Sequence, residues 1–128
     1  MIKANELRIW NLVFEGFDIY EVTSITRSGQ LRLFSAKENH SSGTSKIKPI
    51  PITKEWLLKF GFSKYDQMGD NYFFAFEKDD NFEFNLFLNF NKLKVSFYGL
   101  NWERAFKIDS VHQLQNLYFA LTGQELHP

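Results

Sequence analysis

Three histidines, a run of carboxylates and a hydroxyl-rich loop are the residues of this chain whose types could do chemistry. His40, His112 and His127 are far apart in sequence. A zinc site built from local spacing places its imidazoles about three to five residues apart, so none is expected. His112 stands at the start of an expected helix, where a cation opposes the helix dipole; a neutral, solvated or capping role is expected for it. Glu77, Asp79, Asp80 and Glu83 offer hard oxygen ligands, but they lack the glycine-bearing pattern and distal Glu of an EF-hand loop. In a hairpin they act as turn formers and solubilisers. Ser41, Ser42, Thr44 and Ser45, with Lys46 and Lys48, could contact phosphate, yet no G-x-x-x-x-G-K-[ST] motif surrounds them. There is no G-x-S-x-G elbow for a serine nucleophile. The absence of cysteine removes disulfides, thiolate zinc sites and cysteine nucleophiles together. No catalytic residue, metal or cofactor is expected.

Binding chemistry has more to work with. The chain carries fifteen Phe, five Tyr and three Trp. Aromatic rings on an open sheet can stack single-stranded bases, and Lys92 and Lys94 flank such a sheet. Tyr20, Phe73, Phe87, Tyr98 and Trp102 are the candidates for exposed rings. The competing reading is that most aromatics are core, with Phe87 the exception because it alone interrupts the polar face of its strand.

The elements that must position these residues follow from periodicity. Leu12-Val13-Phe14, the β-branched and aromatic mixture from Phe17 to Ile25, and Leu31-Arg32-Leu33-Phe34 read as three short strands. They suggest a small SH3-like or partly closed barrel. Ser35 to Lys48 reads as the least structured part of the chain, with His40 to Ser45 a mobile polar loop. Pro49 and Pro51 make an extended connector, and Thr53 caps a short helix, Lys54 to Phe60, that Gly61 ends. Tyr72 to Phe76 is apolar on both faces, as a doubly covered strand is. Asp79-Asp80-Asn81 turns into the clearest strand: Phe82, Phe84, Leu86, Leu88 and Phe90 alternate with Glu83, Asn85, Phe87 and Asn89. Asn89-Phe90-Asn91 connects to a returning strand bearing Leu93, Val95 and Phe97. Ser110 and Gln113 form a capping box for a last helix with Val111, Leu114, Leu117, Tyr118 and Leu121 on one face and Gly123 closing it. That helix is expected to cover the meander's aromatic face.

Fifteen Lys plus Arg balance fifteen Asp plus Glu, so no global field draws the chain to nucleic acid or anionic lipid. The distribution is uneven. Residues 1–64 hold ten basic and six acidic groups, a net +4, and residues 65–128 hold five and nine, a net −4. The two halves either neutralise one another or orient a partner. The segment Met1–Glu6 has no apolar region, so no signal peptide is expected, and no apolar run reaches the roughly 20 residues of a membrane span. A cytoplasmic protein is expected.

Three segments carry a resemblance: Met1-Ile2-Lys3-Ala4-Asn5-Glu6-Leu7-Arg8-Ile9, Pro49-Ile50-Pro51-Ile52-Thr53-Lys54-Glu55-Trp56-Leu57-Leu58-Lys59-Phe60-Gly61-Phe62, and the closing stretch from Val111 to Gly123. In this order the chain resembles a family of short uncharacterised proteins of Bacteroides-type bacteria and their prophages or mobile elements. The resemblance implies a bacterial or phage-related setting and carries over no catalytic residue. Trp10 departs from it, standing where the pattern L-R-I-G-N has Gly.

The expected fold is α+β, an antiparallel meander of five to seven strands with two helices. It forms one domain over residues 1–128, with sub-parts 1–50 (β-rich) and 51–128 (helix–meander–helix). The expected function is a non-catalytic accessory or protein-interaction module, with an unknown protein partner or self-association. Gln113, Gln115, Asn116 and Tyr118 offer a polar rim for such a partner, against ordinary solvent exposure. The alternative is a nucleic-acid-binding accessory protein using Arg27, Arg32, Lys46, Lys48 and Lys54 with Phe87 and other open aromatics. A membrane partner is not expected.

Overall fold

Alternation of apolar and polar residues builds two antiparallel sheets, which the computed structural model describes over residues 2–76, 84–90, 92–97 and 106–128. The first sheet comprises β1 (Leu12–Glu15), β2 (Asp18–Ile25), β3 (Gln30–Phe34), β4 (Asn39–Gly43) and β5 (Ile47–Lys48), in the order β4-β3-β2-β1-β5. After α1 (Lys54–Lys59) come β6 (Phe62–Met68), β7 (Asn71–Phe76), β8 (Phe84–Asn89), β9 (Lys92–Phe97) and β10 (Phe106–Ile108), in the order β10-β9-β8-β7-β6. The helix α2 (Val111–Thr122) follows. The α+β class holds, with five strands in each sheet.

The chain divides into two compact units. One holds residues 1–50 and 110–126, the other 51–109 with the last two residues. In the first unit Val13, Tyr20, Val22, Leu31, Leu33 and Ile47 project from one face of the sheet into a core shared with Ile2 and Leu7. Each such fully buried aliphatic side chain contributes about 1.5–3 kcal/mol. The helix α2 belongs here and packs on β1. This corrects the expectation that α2 covers the meander. Its buried side is Val111, His112, Leu114, Gln115 and Tyr118, a stripe containing two polar residues that apolar periodicity does not pick out.

Ser35 to Lys48 is not the least structured stretch, nor His40 to Ser45 the mobile loop, that composition suggests. Asn39 to Gly43 pairs with β3 from Phe34↔Asn39 to Gln30↔Gly43, and Ile47-Lys48 pairs with β1. Strand pairing is carried by backbone groups, and serine and glycine supply those as well as valine does.

In the second unit Thr53 caps α1, its Oγ1 accepting from the Trp56 N–H at 3.3 Å. Gly61 follows the helix with φ 95°, a conformation that glycine adopts at no steric cost. Leu57 and Phe60 of this helical segment are buried, as are Phe62, Phe74, Leu86, Leu88, Leu93, Val95 and Ile108 from the strands. With α1 packed against β6, these residues occupy one side of the sheet and leave the alternate positions to the other. The expected turn at Asp79-Asp80-Asn81 lies outside the described residues.

Candidate functional site

In the first unit, Glu15 Oε1 lies 2.7 Å from His40 Nε2. The two residues sit on β1 and β4, separated in the sheet by β2 and β3. In a flat sheet three strand spacings would hold them about 14 Å apart, so this contact requires the sheet to curl into a half-barrel. Tyr20 OH donates to Glu38 Oε1 at 2.7 Å, its ring meets His40 edge-on at 4.9 Å, and His40 Nδ1 is 3.6 Å from Glu38 Oε1. Burial pushes the Glu15 carboxyl up, but hydrogen bonds from Ser42 and His40, with the charges of His40 and Lys46, outweigh it and hold the group below its ordinary value. The Tyr20 phenol is pushed up to about 12, first by its hydrogen bond to Glu38. Both imidazole nitrogens face carboxylates. The contact ties β4 to β1 across the curled sheet.

The polar residues of α2 are also architectural. Gln115 is buried; its Oε1 accepts from the Leu12 N–H at 2.9 Å, and its Nε2 donates to the Trp10 and Leu126 carbonyls at 3.3 and 3.2 Å. Asn116 Nδ2 donates to the Glu6 carbonyl, and its Oδ1 accepts from Asn11 Nδ2, both at 2.8 Å. Asn116 and Gln115 thus secure the start of β1, and Tyr118 is buried, while Gln113 is exposed. Ser110 occupies the N-cap position, but its side chain makes no capping bond. Its Oγ lies 3.2 Å from His112 Nδ1, and His112 is buried, not solvated.

The polar face of the meander brings together what no single segment shows. Register across the strands runs Lys107↔Lys94, Lys94↔Phe87, Phe87↔Phe73 and Phe73↔Asp66. Residues directly opposite one another point to the same face. The Phe73 and Phe87 ring centroids are 5.0 Å apart at 57°, and Tyr65 adds a third ring 6.1 Å from Phe73. Tyr65 reaches this row because β6 bulges between Lys64 and Asp66. Lys94 Nζ lies 6.0 Å from the Phe87 centroid. The next row along the strands is Lys92↔Asn89↔Asn71, with the two asparagine amides hydrogen-bonded to each other. Tyr65 is 58% exposed, Lys92 and Lys107 are exposed, and Phe73, Phe87 and Lys94 are half-buried.

The other sequence candidates fall elsewhere. Arg27, Arg32, Lys46 and Lys48 are exposed in the first unit, Arg32 Nη1 standing 3.5 Å from Ser41 Oγ. Lys54 belongs to the second unit, its Nζ 5.1 Å from the Tyr72 ring centroid. The basic stretch is therefore divided between the units. Tyr20 is buried, contrary to the expectation of an exposed ring, because its ring lies on the core face of β2. Tyr98, Trp102 and the carboxylates Glu77, Asp79, Asp80 and Glu83 lie outside the described residues. Tyr65 and Lys107 were not candidates from sequence; the Met68-Gly69-Asp70-Asn71 turn was the signal that β6 precedes β7. Among the described residues no group of three or more His, Asp or Glu could hold a metal ion, and no helix is long and apolar enough to cross a membrane. No family profile matches the chain, and no curated protein or solved structure matches it either.

Proposed function

We propose that this chain is a non-catalytic accessory module that binds a partner through the polar face of its meander. The observation that supports this most is the cross-strand row in which Tyr65, Phe73 and Phe87 lead to Lys94 and Lys107. Three rings and two cations stand on the side of the sheet opposite the Phe74, Leu86 and Val95 core. Stacking surfaces edged by cations are what recognition uses. The proposal extends to a cytoplasmic setting, which the absence of cysteine favours, and to the bacterial or phage-related context implied by the three resembling segments.

Affinity capture with the intact chain and with a Tyr65→Ala/Lys107→Gln variant tests the reading. Both side chains are solvent-exposed, so the fold tolerates their loss. A partner retained by the parent chain and lost from the variant is expected. Equal recovery by both chains overturns the reading.

A further inference from the structure

Resting on that reading, we propose that the occupant of the meander face is a single-stranded nucleic acid, its bases on Phe87, Phe73 and Tyr65 and its phosphates toward Lys94, Lys107 and Lys92. Every base has a π-face that an aromatic ring can stack on, whatever the sequence, whereas in a duplex those faces are occupied by neighbouring base pairs. The three rings are tilted against one another, at 57° and 44°, and Tyr65, 58% exposed, is the most open of them. The row's charges are separated along it. Lys94 and Lys107 sit directly opposite each other on β9 and β10, and Lys92 is two residues from Lys94 on the same face. The row's carboxylate, Asp66, is on β6 at the other end, about 14 Å from β9.

Two like charges placed directly opposite on adjacent strands destabilise a sheet. Lys94 facing Lys107 is such a pair, and a phosphate between them converts the repulsion into attraction. Asn71, Asn85 and Asn89 occupy the flanking rows of the same face. Their amides offer both donors and acceptors, which suits base edges without selecting one base. A neutral oligosaccharide would use the rings and amides but has no need of the lysines. An acidic peptide would use the lysines but not three rings in a row. Both features together select a polyanion with flat aromatic groups.

Fluorescence anisotropy of labelled oligothymidylate, titrated with the full chain, tests this. Binding is expected in the non-specific range of about 1–100 µM, and a duplex of labelled oligothymidylate with oligodeoxyadenylate is expected to bind at least about tenfold more weakly. Tyr65→Ala is expected to weaken binding by about 5- to 100-fold, in the range of one lost base stack. Between about 50 and 200 mM salt, the slope of log K on log salt is expected near −2 and to shrink by about 0.7 in Lys107→Gln. No binding at the lower salt, equal affinity for duplex, or an unchanged affinity in Tyr65→Ala overturns the proposal. So does a neutral glucan oligosaccharide bound with the same dependence on Tyr65. If capture still recovers a nuclease-resistant partner that the Tyr65→Ala/Lys107→Gln variant loses, the face binds but its occupant is not nucleic acid. If capture fails as well, the binding reading falls with it.

Discussion

Glu15 and His40 join opposite sides of the first sheet: the carboxylate oxygen on β1 and the imidazole nitrogen on β4 meet at 2.7 Å across the concave face. A curled sheet whose strands are tied across its concave face by side chains depends on their ionisation in a way that a backbone ladder does not. The Glu15 carboxyl is held below its ordinary value of 4.5 in the folded chain. The group therefore contributes stability that is fully present above pH 4.5 and is lost as pH falls through the lower folded value. Urea midpoints measured between neutral pH and strong acid should converge for the parent chain and Glu15→Gln, the parent being more stable at neutral pH. Parallel curves would show that the clasp carries no such contribution.

At the alkaline end, Tyr20 has the opposite sign. Its phenol is raised from 10.0 to about 12 by the hydrogen bond to Glu38, so its contribution is complete below pH 10 and is lost as pH rises toward 12. Ultraviolet titration should assign it a late-ionising phenol, and Glu38→Gln should bring that midpoint down toward 10. An unchanged midpoint in Glu38→Gln would remove the hydrogen bond as the cause.

Trp10 has φ 83°, in the left-handed region that glycine adopts freely. Trp10→Gly should therefore be more stable than Trp10→Ala by about 1 kcal/mol, since both lose the indole but only Gly relieves the backbone. Equal chemical-denaturation midpoints for the two variants would show that the turn relaxes away from this conformation.

Gln115 satisfies one backbone donor and two backbone acceptors from a buried position. Replacing it by Leu keeps the volume but strands those groups, and should destabilise the chain by about 2 kcal/mol or more. Hydrogen exchange at the Leu12 amide should accelerate with it. Retained protection at Leu12 would mean that another acceptor takes over.

The parts of this fold legible from sequence are those whose side chains announce them. Thr53 and Gly61 bracket α1, and the Leu86/Leu88 alternation sets β8. The strand β4 was hidden because Asn39-His40-Ser41-Ser42-Gly43 pairs through its backbone and turns only half its residues inward. The helix α2 is legible as a helix from its periodicity, but the surface it packs on is not, because Gln115 and Asn116 look solvent-facing until the carbonyls and amides around β1 are in place. Of the candidate face, Phe87 was visible as the one ring on an otherwise polar strand side. Its neighbours were not. Tyr65 arrives through a bulge, and Lys107 through pairing with a strand thirteen residues earlier, neither of which has a signature in a linear sequence.

The most direct test of the central claim is a nitrogen–proton correlation spectrum of the labelled chain titrated with oligothymidylate. Shifts are expected at the amides of Tyr65, Phe73, Phe87, Lys94 and Lys107, saturating together, while those of Val13, Val22 and Leu33 in the first sheet hold still. Shifts confined to the first unit, or none at millimolar oligonucleotide, would contradict the assignment of the meander face as the binding surface.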